Sequence, residues 1–158
     1  IMWLETLCVG RDVIICTYNG TSFDLPVLDR LHKGFRKYQH LDVMGLSMRE
    51  LSQHGGKLTE VYEGYIGKAS DGAHDAAADC LMTAEILQKY CEESGLTPLQ
   101  VVEKLSVAEP YKVFPFGKHK GKLLHQIPKN YARWCKSNFS NMSPDLEATL
   151  DLIISKDS

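Results

Sequence analysis

Three side chains in the first half of this 158-residue chain have the types and spacing for acid–base or metal chemistry: Asp24, His74 and Asp79. Asp24 ends the run Asn19-Gly20-Thr21-Ser22-Phe23-Asp24, which follows a short apolar, β-branched stretch. A carboxylate just beyond the carboxyl end of a buried strand stands on the rim where open α/β sheets bind ligands. The same residue is also accounted for as the N-cap of the helix that follows. Asp79 shares a helical face with Met82, Thr83, Ile86 and Tyr90, at spacings of 3, 4, 7 and 11 residues. A carboxylate heading an apolar stripe must be paired, protonated or metal-bound, because burying it alone costs several kcal/mol. His74 sits one turn ahead of it, and an imidazole with a pKa of ~6.5 exchanges a proton near neutrality. An exposed flank with Asp75 as the helix cap is the plainer reading of that segment.

The elements that must position these groups are legible in outline. Residues 12–17 (Asp-Val-Ile-Ile-Cys-Thr) have the continuous apolar, β-branched pattern of a strand buried on both faces in a parallel sheet. Asn19-Gly20 ends it, and Asp24, Pro26, Leu28 and Leu31 open a short helix. A second short strand is expected over 41–44 and a helix over 46–54. A further helix carries Leu58, Val61, Tyr62 and Tyr65 and stops at Gly67, and the longest runs over 75–90. Ahead of residue 12 the sequence offers only an amphipathic pattern (Leu4, Leu7, Cys8) and no strand hairpin. The fold class expected is therefore α/β, with its opening strands absent.

Composition bounds the rest. With 44% hydrophobic and 24% charged residues the chain can bury a core. It has no run approaching the roughly 18 to 20 apolar residues of a membrane helix, so a cytoplasmic protein with no membrane partner is expected. Cys8, Cys16, Cys80, Cys91 and Cys135 are odd in number, lack CxxC spacing and lie among apolar neighbours, so they read as reduced core thiols. The first residue, Ile1, points to a fragment or a processed chain.

The net charge of −2 hides an asymmetry: residues 1–110 carry 10 Lys and Arg against 16 Asp and Glu, and residues 111–158 carry 8 against 4. Two units follow, over 1–93 and 111–158, with a linker over 94–110 that contains one short helix opened by Thr97-Pro98. The second unit reads as a ββαα module: a strand over 111–116, a glycine-bracketed turn, a returning strand at Leu123-Leu124, and helices over 129–138 and 144–155. Ser143 caps the last helix with Pro144 behind it. The turn, Gly117-Lys118-His119-Lys120-Gly121-Lys122, could grip phosphates through Lys118, His119, Lys120 and Lys122. The plain reading is a solvated turn whose glycines supply positive φ. Phe114, Phe116, Tyr131 and Trp134 are expected to form the small core of this unit rather than a stacking platform.

Asn-x-x-x-Phe-Asp at 19–24, followed some fifty residues later by His-x-Ala-x-x-Asp at 74–79, resembles the second and third motifs of the DnaQ-like 3′–5′ exonucleases, the DEDDh subclass with the ribonuclease H fold. The turn at 116–122, Tyr131-x-x-Trp134 and Met142-Ser143-Pro144-Asp145-Leu146 resemble the C-terminal module of the exonuclease X group. The resemblance implies a partial ribonuclease H-like domain that hydrolyses DNA, as single strands or at the 3′ ends of duplexes, to nucleoside monophosphates. It implies two Mg²⁺ or Mn²⁺ ions held by Asp24 and Asp79, His74 as general base, and Asn19 as a polar group at the same rim. The family's first motif, Asp-x-Glu-Thr, has no counterpart here: Trp3-Leu4-Glu5-Thr6 lacks the aspartate and lies too close to Asp24. A truncated chain with weak metal binding and little activity is expected. The other reading is a non-catalytic nucleic-acid-binding protein that lost the first motif. The sequence leaves the oligomeric state open.

Overall fold

The computed structural model describes residues 6, 10–21, 23–31, 37–51, 56–71, 75–140 and 142–156. His74, Cys8 and the Trp3-Leu4-Glu5 segment lie outside them. The described chain is mixed α/β and mostly helical. Strand β1 (Ile14–Thr17) leads through helix α1 (Asp24–Leu31) to strand β2 (Gln39–Asp42), which pairs with it in parallel, in the register Ile14↔Gln39 to Thr17↔Asp42. Among the described residues these two strands are the whole sheet. That corrects the expectation of a strand buried on both faces: Ile14, Ile15 and Thr17 are half-buried and Cys16 is exposed.

β2 also starts two residues earlier than its apolar run indicates. It ends at Asp42, whose carboxylate accepts the backbone N–H of Met44 and so caps helix α2 (Val43–Glu50) immediately after the strand. Helix α3 (Leu58–Val61) continues into a π-helical turn, Tyr62–Ile66, closed by Gly67 at φ 80°. Helix α4 (Ala76–Ser94) starts on Asp75, whose side chain accepts from the N–H of Ala77, and ends at Gly95 in the left-handed region. Its buried stripe is Met82, Thr83, Ile86 and Tyr90, the face that the spacing defines.

The stripe enters a core with Leu41, Val43, Leu46, Val61 and Tyr62. Helix α5 (Pro98–Ser106) carries a capping box between Thr97 and Gln100, and its Val101 is fully buried in that same core. A segment read from composition as a connection thus packs with the first unit.

The second unit has its own core of Phe114, Leu124, Ile127, Ala132, Cys135, Leu150 and Ile153. Helices α6 (Lys129–Asn138) and α7 (Pro144–Ser155) fall where the sequence places them, and Ser143 caps the latter through the N–H of Leu146. The two strands expected ahead of them reduce to one antiparallel bridge, Val113↔Leu123. Pro115 has no N–H to extend a ladder. The chain instead forms 3-10 turns at Gly117–His119 and Leu124–Gln126.

The units meet at Arg49 of α2, which is 2% exposed. Its guanidinium donates to the carbonyls of Leu105 (3.2 Å), Val107 (2.9 Å) and Lys104 (3.3 Å) at the C-terminal end of α5. It also pairs with Glu109 at 3.0 Å and Asp145 at 3.7 Å. No glycine closes α5, so its last carbonyls take a cation in place of a cap, which also suits the negative end of the helix dipole.

Candidate functional site

The carboxyl end of β1 opens onto a cleft of about 920 Å³ whose lining includes Cys16, Thr17, Tyr18, Asp24, Asp79 and Thr83. Asp24 and Asp79, about fifty residues apart in the chain, therefore line one space, which Glu92 also borders. Asp24 is the first residue of α1 and exposed. The turn before it is closed by the Gly20 carbonyl, which accepts from the N–H groups of Phe23 (3.3 Å) and Leu25 (2.9 Å). Gly20 is buried, and a Cβ there would collide with the Thr17 side chain, so only glycine lets the chain turn this tightly off the strand. Asp79 lies in the first turn of α4, half-buried, where its own N–H donates to the Asp75 carbonyl and its carbonyl accepts from the Thr83 hydroxyl at 2.7 Å.

Asn19 precedes the turn with φ 62°, a left-handed conformation that asparagine tolerates. Its backbone N–H donates to Asp42 Oδ1 at 2.8 Å, and the N–H of Thr21 donates to Asp42 Oδ2 at 3.2 Å. Asp42 was absent from the sequence-derived site, although an aspartate ahead of a helical apolar pattern is a readable capping signal. What the pattern does not contain is its reach back across the sheet to hold the turn bearing Asp24. His40 was also missed. Its Nε2 lies 2.8 Å from Thr17 Oγ1, and burial lowers its pKa against the opposing charges of Asp42 and Asp24.

Two further groups at the cleft, Cys16 and Tyr18, are poor nucleophiles. Although Cys16 is exposed as a residue, desolvation of its thiol by the surrounding cleft, then the nearby Asp42, pushes it up to about 11, and burial pushes the Tyr18 phenol up to about 12. Tyr18 instead donates to the Gly56 carbonyl at 3.0 Å. What the cleft offers a cation is hard carboxyl oxygen. Among the described residues no three His, Cys, Asp or Glu side chains gather in one metal-holding group. The cysteines divide differently from the expectation: Cys135 is buried and Cys91 half-buried, but Cys16 and Cys80 are exposed.

The lysine turn of the second unit is placed apart from this lining. Lys118, Lys120 and Lys122 are exposed, Lys118 Nζ stands 5.2 Å from the Tyr131 ring centroid, and Lys120 pairs with Glu60 at 3.6 Å. His119 does not share their exposure: it is 9% exposed, its ring meets Tyr131 edge-on at 4.6 Å, and both ring nitrogens are buried without a hydrogen-bond partner. Burial, with Lys122 and Lys118 adding to it, lowers its pKa. The imidazole is thus removed from the set of open phosphate contacts expected on this turn. The aromatic core expectation also divides, since Phe114 is fully buried whereas Trp134 is 51% exposed.

Among the described residues no helix is long and apolar enough to cross a membrane. The family described as "Putative quorum-sensing-regulated virulence factor" matches residues 105–146, which cover the lysine turn and α6. No solved structure matches the chain. Two curated relatives, the exodeoxyribonuclease 10 proteins of Escherichia coli strain K12 and of Escherichia coli O6:H1 strain CFT073, are each 34% identical over 80 residues. Those residues are 49% of this chain and 36% of each relative, so the chain is similar over about half of its own length to bacterial exodeoxyribonucleases, and the match spans about a third of theirs.

Proposed function

We propose that the chain carries part of a metal-dependent 3′–5′ exonuclease of the DnaQ-like, ribonuclease H-fold type, acting on DNA. The observation that carries this reading is the convergence of Asp24 and Asp79 on one cleft at the carboxyl end of β1. The similarity to exodeoxyribonuclease 10 supports the same reaction class.

Two carboxylates fit the way Mg²⁺ or Mn²⁺ is held at phosphoryl-transfer sites, where one or two protein carboxylates are joined by waters and substrate phosphates. Asp24 and Asp79 are the proposed ligands, and a bound cation would supply charge stabilisation and a more acidic water. Asp79 is fixed by the first turn of α4, and Asp24 by the Gly20 turn that Asp42 anchors. His74, by its motif position, is the proposed general base, and Asn19 is a polar group on the same turn. Lys118, Lys120 and Lys122 are the proposed backbone contacts. A second reading, a nucleic-acid-binding protein without catalysis, is favoured by the fact that, among the described residues, no three His, Cys, Asp or Glu side chains are grouped to hold a metal ion.

The test is Mn²⁺ binding by electron paramagnetic resonance, together with digestion of a 5′-labelled single strand in Mn²⁺. Asp79→Asn and Asp24→Asn are expected to lower Mn²⁺ affinity at least tenfold and to abolish any stepwise shortening from the 3′ end. Mn²⁺ binding and shortening unchanged in both variants would sink the proposal. DNA binding without Mn²⁺ binding would favour the second reading.

A further inference from the structure

The second unit holds a cleft of about 800 Å³ lined by Lys118, His119, Pro128, Asn130, Tyr131 and Trp134. Tyr131 and Trp134 sit one helical turn apart on α6, and their rings lie near-parallel, 23° apart with centroids at 5.9 Å. Phe139 braces the indole edge-on at 5.8 Å, and His119 braces the phenol edge-on at 4.6 Å. These contacts pack the two rings against neighbours, yet about half of Trp134 remains open to solvent. Gly117, at φ 63°, approaches so closely that a Cβ there would lie 2.7 Å from the Tyr131 hydroxyl. A half-exposed indole with a lysine ammonium at the same cleft offers a flat apolar face and a positive charge together. That pairing suits a ligand which is itself a planar ring joined to a phosphate.

We infer that this cleft is a stacking site for an unpaired nucleobase, with Trp134 as the platform and Lys118 on the adjoining phosphate. The site therefore selects single-stranded nucleic acid over closed duplex, whose bases are already stacked on one another. The net positive charge of residues 111–158 favours the same polyanion. The inference deepens the nuclease reading by naming the strand state of its substrate.

The experiment is fluorescence anisotropy with the full chain in EDTA, so that binding is read without hydrolysis. The probes are a short labelled oligothymidylate, an abasic oligomer with the same number of phosphates, and a blunt duplex. The oligothymidylate is expected to bind most tightly. Trp134→Leu should weaken it on the order of tenfold and leave the abasic oligomer unchanged. Trp134→Phe should recover part of the loss, and Lys118→Gln should weaken both single-stranded probes alike. Abasic or duplex probes that bind as tightly as oligothymidylate would overturn the inference, as would Trp134→Leu binding like the unsubstituted chain. Because Trp134 is exposed, each variant can be checked for an unchanged melting temperature. The nuclease reading is decided separately by the aspartate variants in Mn²⁺, so either can fail while the other stands.

Discussion

Replacing Arg49 with methionine tests how the two units are held together. The side chain is almost wholly buried and serves three carbonyls of the α5 terminus, Glu109 and Asp145. Methionine keeps much of the volume but removes every donor. A buried polar group left unsatisfied costs about 1–3 kcal/mol. Not all of that applies here, because Val107 is 63% exposed and its carbonyl can rehydrate. The Glu109 pair contributes less than about 1 kcal/mol, since that carboxylate is 54% exposed and screened. Asp145 is only 17% exposed, so losing the guanidinium matters more there, although its Oδ1 keeps the Glu109 N–H at 3.0 Å. Together these give a loss of roughly 3 kcal/mol, or about 9 °C in melting temperature for a chain of this size. Arg49→Lys keeps the charge but lacks the planar fork that reaches several carbonyls at once, so about half the loss should remain. Thermal unfolding followed by circular dichroism measures both. A methionine variant melting within about 2 °C of the unsubstituted chain would refute the reasoning, and so would a lysine variant that fully restores it.

Two further outcomes are expected. Asp42→Ala removes a carboxylate that accepts three backbone N–H groups, and should cost roughly 2 kcal/mol while speeding hydrogen exchange at Asn19, Thr21 and Met44; unchanged exchange at these amides would contradict its bridging role. The folded-state pKa values of His119 and His40 are both lowered by burial, so below about pH 6.5 the unfolded chain binds protons that the folded chain refuses. Stability is then complete above that pH and declines as the pH falls, and His119→Phe should flatten part of the decline in melting temperature between about pH 7.5 and about 5.5; an unflattened profile would count against a neutral buried ring.

Features written in local chemistry were legible in the sequence. Caps and breakers marked the start of α4 through Asp75, α7 through Ser143 and Pro144, and the stop at Gly67, because these act within one or two turns, whereas α4 runs to Ser94, four residues past the expected end. The placement of Asp24 after β1 and of Asp79 ahead of an apolar stripe was readable for the same reason. Partners distant in sequence were not. Arg49 finds its carbonyls more than fifty residues away, Asp42 reaches back across the sheet, and neither reach leaves a periodic trace. His119 looks like a solvent-facing residue among lysines, and only the packing of Tyr131 against the turn buries it. Trp134 is undecided by spacing, since an aromatic residue one turn from Tyr131 can face the core or leave it.

Asp42 also changes what kind of object the sheet is. The parallel ladder ends at Thr17↔Asp42, and the left-handed Asn19, two residues further on, would break it. Two carboxylate oxygens then receive the N–H groups of Asn19 and Thr21, as two more backbone carbonyls would have done. The side chain acts as a prosthetic length of strand that carries the pairing around the bend. The rim bearing Asp24 thereby inherits the registry of the sheet. A slip of β2 by one residue would move Asp42 away from both amides and displace the loop as a whole, so strand alignment and loop geometry are set by one choice of pairing.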